Sequence, residues 1–164
     1  MFALQAVRGA SQAELHAQLL EQARALLAGE RDFTANAANL ASLVFHTLPD
    51  LNWAGFYWMK QGELVLGPFQ GKPACVRIGI GRGVCGSAAR DRRSIVVPDV
   101  NAFPGHIACD SASASEVVVP IIAGPRVLGV LDLDSPLRGR FDDADARALE
   151  ELVRIFLEAT DPEA

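Results

Sequence analysis

The chain has 164 residues, half of them hydrophobic and 21% charged, the make-up of a folded globular domain and not of a disordered segment. Its net charge is −5, from 15 basic and 20 acidic residues, and the basic ones are scattered, so no basic stripe marks a nucleic-acid binder. The opening MFALQAVRGASQAEL carries no signal-peptide pattern and no stretch nears the ~18 apolar residues of a membrane span, so a cytoplasmic protein without a membrane segment is expected.

Residues 11–28 read as a helix: Ser11 and Glu14 make a capping box, and Leu15, Leu19, Ala23, Leu26 and Leu27 form an apolar stripe. A second helix starts at Asp32 or Thr34 and runs to Leu48, where Pro49 ends it. Residues 53–59 alternate aromatic and small side chains, Gln61-Gly62 marks a turn, and residues 63–69 return as the partner strand. Residues 74–80 read as a short strand, 84–92 as a short helix and 94–97 as another strand. A loop of about 17 residues, 98–114, follows, and loops this long in a compact domain are often functional. Residues 116–122 and 127–134 form the clearest hairpin, turning at 123–126, and residues 142–157 close the chain as an amphipathic helix preceded by Phe141. No repeat or linker divides the chain. Residues 1–164 therefore read as one α+β domain, a mainly antiparallel six-stranded sheet with helices packed on one face.

Gly81, Gly83 and Gly86 are spaced like a dinucleotide fingerprint, with Asp99 lying 18 residues beyond Gly81. The helix they open is short, the downstream hairpin is antiparallel and further βαβ units are lacking, so the glycines read as a tight turn into a helix. His16, His46 and His106 are far apart and no Cys or His pair has close ligand spacing, so no metal site is expected.

Asp132 and Asp134 are two apart in a strand and share a face, while Leu131 and Leu133 turn the other way. Glu116, on the partner strand, faces residue 132, 133 or 134 depending on the turn. Such a group is either a solvated sheet face or a pocket. In a pocket, crowding raises at least one carboxyl pKa and makes a proton donor, while the remaining anions hold an ammonium group.

Three cysteines, an odd and small number in a reducing compartment, are core thiols, metal ligands or redox groups. Cys109 sits in the long loop, in Phe-Pro-Gly-His-Ile-Ala-Cys-Asp (residues 103–110). A protonated His106 nearby would lower its pKa and Asp110 would raise it; position alone leaves a redox thiol and a plain loop thiol both open. Cys85, in an apolar run, reads as a small buried hydrophobe, and Cys75 ends a Gly- and Pro-bearing loop that can move as a resolving cysteine must. Trp53 and Tyr57 share one strand face, Phe56 and Trp58 the other, so one pair can pack inward while the other lines a pocket suited to a sulfur-bound methyl group.

Residues 52–57 (NWAGFY), 67–75 (GPFQGKPAC), 83–86 (GVCG), 99–110 (DVNAFPGHIACD), 115–120 (SEVVVP) and 129–135 (GVLDLDS) resemble the free methionine-(R)-sulfoxide reductases, which are stand-alone GAF domains. The resemblance spans about residues 52–150. It implies that Cys109 attacks the sulfoxide sulfur and becomes a sulfenic acid, that Cys75 resolves it as a disulfide, and that Cys85 is an auxiliary or alternative resolver. It further implies that Glu116, Asp132 and Asp134 bind the polar end of the substrate, one of them protonating the departing oxygen, and that Trp53 and Tyr57 enclose the methyl-sulfur end. Thioredoxin, fed by NADPH, would reopen the disulfide; no bound cofactor is implied, and a homodimer is the expected assembly. The chemistry agrees: reducing a sulfoxide needs a soft nucleophile at sulfur and an acid at oxygen, and a sulfenic acid is recovered through a disulfide. A non-catalytic GAF module that senses a small ligand and a structural domain with inert cysteines are the competing expectations.

Overall fold

The computed structural model describes residues 2–5, 9–107 and 109–161. Ala108 of the cysteine segment, residues 1 and 6–8 of the opening read as leaderless, and residues 162–164 of the expected domain lie outside it. Two helices come first, α1 (Gln12–Leu27) and α2 (Phe33–Thr47), then the strands β1 (Trp53–Lys60), β2 (Glu63–Gly71) and β3 (Arg77–Gly79). The helix α3 (Gly83–Asp91), the strands β4 (Ile95–Val97), β5 (Ser115–Ala123) and β6 (Arg126–Ser135), and the helix α4 (Asp143–Ala159) complete the order.

Local chemistry sets the boundaries. The Ser11 hydroxyl accepts from the Glu14 N–H and the Glu14 carboxylate accepts from the Ser11 N–H at 2.7 Å, the box that starts α1. Asp32 caps α2 by accepting from the Ala35 N–H at 2.7 Å, and Asp142 caps α4 through the Ala144 and Asp145 N–H groups. Gln61 and Gly62 both take positive φ, 53° and 85°, the geometry that lets a two-residue turn follow the strand twist between β1 and β2.

The six strands form one sheet in the order β3-β2-β1-β6-β5-β4, with every neighbouring pair antiparallel. Alternation along the strands sends Phe56, Trp58, Val117, Val119, Leu131 and Leu133 to one face, where α1, α2 and α4 bury them. Phe156 of α4 is the hub of that core, its ring centroid 5.4 Å from Phe33, 5.5 Å from Phe56 and 6.2 Å from Trp58. The opposite face carries Trp53, Tyr57, Val118 and Val130, covered by α3 through Val84, Cys85 and Ala88. So the long helices take one face, as expected, and the short α3 joins the loops on the other. Gly86 allows this: a Cβ there would collide with the Gly79 carbonyl oxygen, so α3 sits against β3 only without one.

Phe156→Ala is expected to lower the unfolding free energy by about 3–5 kcal/mol through the cavity it leaves. Urea unfolding checks it; a loss below about 1 kcal/mol would mean that the aromatic hub is not what holds α4 to the sheet.

Candidate active site

The strand register decides which carboxylates meet. Glu116 pairs with Asp134 across β5 and β6, Val118 pairs with Asp132, and on the other side of β6 Trp53 pairs with Asp134. Of the three registers open to the sequence, this one puts all three acids on the face beneath α3. Cys85 reaches down from α3, its Sγ 3.2 Å from Asp132 Oδ2 and 4.0 Å from Glu116 Oε1. His106, from the long loop, brings Nε2 to 3.2 Å from Glu116 Oε2.

The two other cysteines meet at one side of this cluster. Cys75 and Cys109, 34 residues apart, form a disulfide with a Cα separation of 5.7 Å, and the Cys75 N–H donates to Cys109 Sγ at 3.4 Å. Both loops are tied down. The Trp53 indole N–H donates to the Lys72 carbonyl at 3.2 Å, and the Tyr57 hydroxyl donates to the Cys75 carbonyl at 2.9 Å. Asp110, beside Cys109, accepts from the Ala112 N–H at 2.9 Å and from Asn52 Nδ2 at 3.3 Å, and Lys72 Nζ stands 3.6 Å from it. Lys72 thus links the loop of Cys75 to the loop of Cys109.

One pocket opens among these groups. Its walls include Trp53, Tyr57, Cys85 and Cys109, with Glu116, Asp132 and Asp134 among its polar lining. Cys75 belongs to it through the bond to Cys109. All the site residues expected from sequence are therefore brought together.

Known proteins resemble this chain in sequence and fold. Residues 34–159 match the GAF domain family. The free methionine-R-sulfoxide reductase of Escherichia coli is 51% identical over 140 residues, covering 85% of each chain. The free methionine-R-sulfoxide reductase of Neisseria meningitidis, solved in complex with its substrate, superposes with a TM-score of 0.93 at 43% identity, covering 97% of this chain and 95% of that one. A candidate GAF sensor protein from Burkholderia vietnamiensis shares 59% identity at a TM-score of 0.89, covering 92% and 96%. The chain belongs to the free methionine-R-sulfoxide reductase family of GAF domains.

Burial governs the electrostatics of this reductase-family pocket. It pushes the carboxyls of Glu116, Asp132 and Asp134 well above the ordinary range, and their mutual repulsion pushes the same way. Burial, then the charges of Asp132 and Glu116, raise the Cys85 thiol, so it donates its proton toward Asp132. Tyr57 is raised for the same reasons and stays a donor to Cys75. Outside the cluster the trend reverses. The Ala112 N–H, then Asn52 and Lys72, hold Asp110 below its usual value.

The sequence considered His106 as a neighbour of Cys109; its ring lies instead against Glu116, and burial lowers its pKa, which favours the neutral imidazole. Asn52 was not singled out as a site residue. It binds both Asp110 and Ser113, the latter through Nδ2 at 3.0 Å, and so ties β1 to the Cys109 loop. Its only sequence signal is its place one residue ahead of the aromatic strand. Cys85 was read as a buried hydrophobe: burial is right, but the acids it touches come from β5 and β6.

Asp132 holds its proton more tightly folded than unfolded. Below its ordinary value of 3.8 it is protonated in both states; above 3.8 the unfolded chain ionises first, and the folded state loses relative stability as pH rises. Asp132→Asn removes that loss. Its melting temperature relative to the parent is expected to climb between pH ~4 and pH ~8. Calorimetry at several pH values checks this, and an offset independent of pH would contradict it.

Proposed function

We propose that the chain reduces free L-methionine-(R)-sulfoxide to methionine, with Cys109 as nucleophile. The observation behind this reading is the Cys75–Cys109 disulfide standing against a pocket lined by two buried carboxyls, Glu116 and Asp132, and the half-buried Asp134. Sulfenic-acid chemistry ends in such a bond, and a zwitterion with a polar S–O group matches such a lining.

The Cys109 thiol attacks the sulfoxide sulfur while one of the raised-pKa carboxyls gives a proton to the oxygen. Methionine leaves, and the oxygen remains on Cys109 as a sulfenic acid. The Cys75 thiol then attacks that sulfur, a disulfide forms, and the oxygen departs as water. An external dithiol reopens the bond by exchange and is itself oxidised to a disulfide. Thioredoxin, drawing on NADPH, is the proposed donor, and the cytoplasm the proposed compartment.

The Asp110–Lys72 link and the Trp53 and Tyr57 hydrogen bonds hold the two loops so that the sulfurs meet. Glu116, Asp132 and Asp134 bind the ammonium end once ionised, and the faces of Trp53 and Tyr57 pack against the methyl group. Cys85, kept as a thiol, is auxiliary. A pocket lined with acids around one zwitterion favours the free amino acid over a residue in a chain. Residues 1–164 act as a single GAF-like domain, and a homodimer is the proposed assembly.

NADPH oxidation coupled through thioredoxin reductase and thioredoxin is expected with the (R) epimer and not the (S). Cys109→Ser is expected to reduce it by at least about 10³-fold. Cys75→Ser should still release one methionine per enzyme in a rapid-quench burst, then stall with thioredoxin. Silence from the reduced, folded parent would favour the sensor module, and turnover of peptide-bound sulfoxide would refute the selectivity.

A further inference from the structure

The lining of the pocket has the donor set of a transition-metal site. Cys85 Sγ, an oxygen of Glu116 and an oxygen of Asp132 all lie within 4.8 Å of one another, and all three side chains are buried. The sulfur stands 3.2 Å from Asp132 Oδ2 and 4.0 Å from Glu116 Oε1. A tetrahedral zinc ion, with bonds of about 2.3 Å to sulfur and about 2.0 Å to oxygen, sets those ligands about 3.5 Å apart. The two separations straddle that value. A second observation points to a cation: Asp132 is 6% exposed, lines the pocket, and its Oδ1 has no hydrogen-bond partner among the described residues.

We propose that the chain binds one Zn²⁺ between Cys85, Glu116 and Asp132, with water as fourth ligand, and that the bound ion shuts out the sulfoxide. The second half rests on the reading of this pocket as the substrate site. A thiolate beside two carboxylates selects zinc over magnesium or calcium. On binding, the Sγ–H bond of Cys85 breaks, its proton goes to solvent and an Sγ–Zn bond forms; no electrons move. Protons held by the two carboxyls leave as well, so uptake strengthens as pH rises. The ligands come from α3, β5 and β6, which is why spacing along the chain shows no metal motif.

Oxidised protein supplies a clean test, because with Cys75 and Cys109 joined the one free thiol is Cys85. Titration with Co²⁺ is expected to give the near-ultraviolet thiolate-to-cobalt absorption, bleached by Zn²⁺ and untouched by Mg²⁺. Cys85→Ser removes the band, and Asp132→Asn weakens uptake by at least the ~10–100-fold that loss of an outer partner brings. No band, or zinc affinity unchanged by both substitutions in calorimetry, overturns the site. In Cys109→Ser protein, calorimetry with free methionine-(R)-sulfoxide is expected to show binding in chelated buffer and none with zinc. Equal binding in both buffers overturns the exclusion. Absence of binding in chelated buffer would count against the reductase reading, and the cobalt band would still judge the metal.

Discussion

Glu116, Asp132 and the half-buried Asp134 are held on one sheet face, the first two out of reach of bulk water, and the rest of the site is arranged around their repulsion. Buried carboxyls that cannot all ionise together must share protons, take a cation or find hydrogen-bond donors. Cys85 supplies one such donor from above, and His106 lies against Glu116 from the side. The arrangement is incomplete by construction, since one oxygen of Asp132 has no hydrogen-bond partner among the described residues. A pocket in this condition favours positive charge and proton donation alike, which are the two properties that a reductase of a zwitterionic sulfoxide requires.

The register of β5 on β6 makes that cluster, and the aromatic strand β1 extends it to the cysteines. Trp53 and Tyr57 pack their rings 5.9 Å apart and turn their polar tips outward, to the backbone of Lys72 and Cys75. An aromatic wall and a loop anchor are thereby the same two side chains. Asp110 and Lys72 then join the Cys75 loop to the Cys109 loop across a partly exposed ion pair. Such a pair contributes little to overall stability, but it sits where a small bias in loop position decides whether two sulfurs can meet.

Much of this was legible in the sequence because it is local. The Ser11–Glu14 box, the Gln61-Gly62 turn and the 123–126 turn are written in a few adjacent residues, and they fixed the ends of α1 and of both hairpins. Alternation sorted Leu131 and Leu133 from Asp132 and Asp134, and Phe56 and Trp58 from Trp53 and Tyr57. What stayed hidden depends on contacts between distant segments. Which residue Glu116 faces needed the register shift near Ile121 and Ile122, not turn length alone. The side of the sheet taken by α3 depends on Gly86 meeting the Gly79 carbonyl, and an isolated glycine in a short helix does not announce a close approach. His106 lies three residues from Cys109 in sequence, yet its partner is ten residues away on another element.

The two faces of the sheet divide stability and chemistry between them. The helix-covered face is built mainly from aromatic and aliphatic side chains around Phe33, Phe56, Trp58 and Phe156, and its two buried serines, Ser115 and Ser135, are hydrogen-bonded. The face under α3 holds three acids and a thiol whose desolvation opposes folding at neutral pH. A sheet that had to supply both from one face would trade core volume for every carboxylate. Alternation removes the conflict: Leu131 and Leu133 strengthen one layer at the same backbone positions where Asp132 and Asp134 load the other. Strain at the site is then carried by a frame that it does not itself weaken, and the acids are held in place by strands whose other side chains are fully packed.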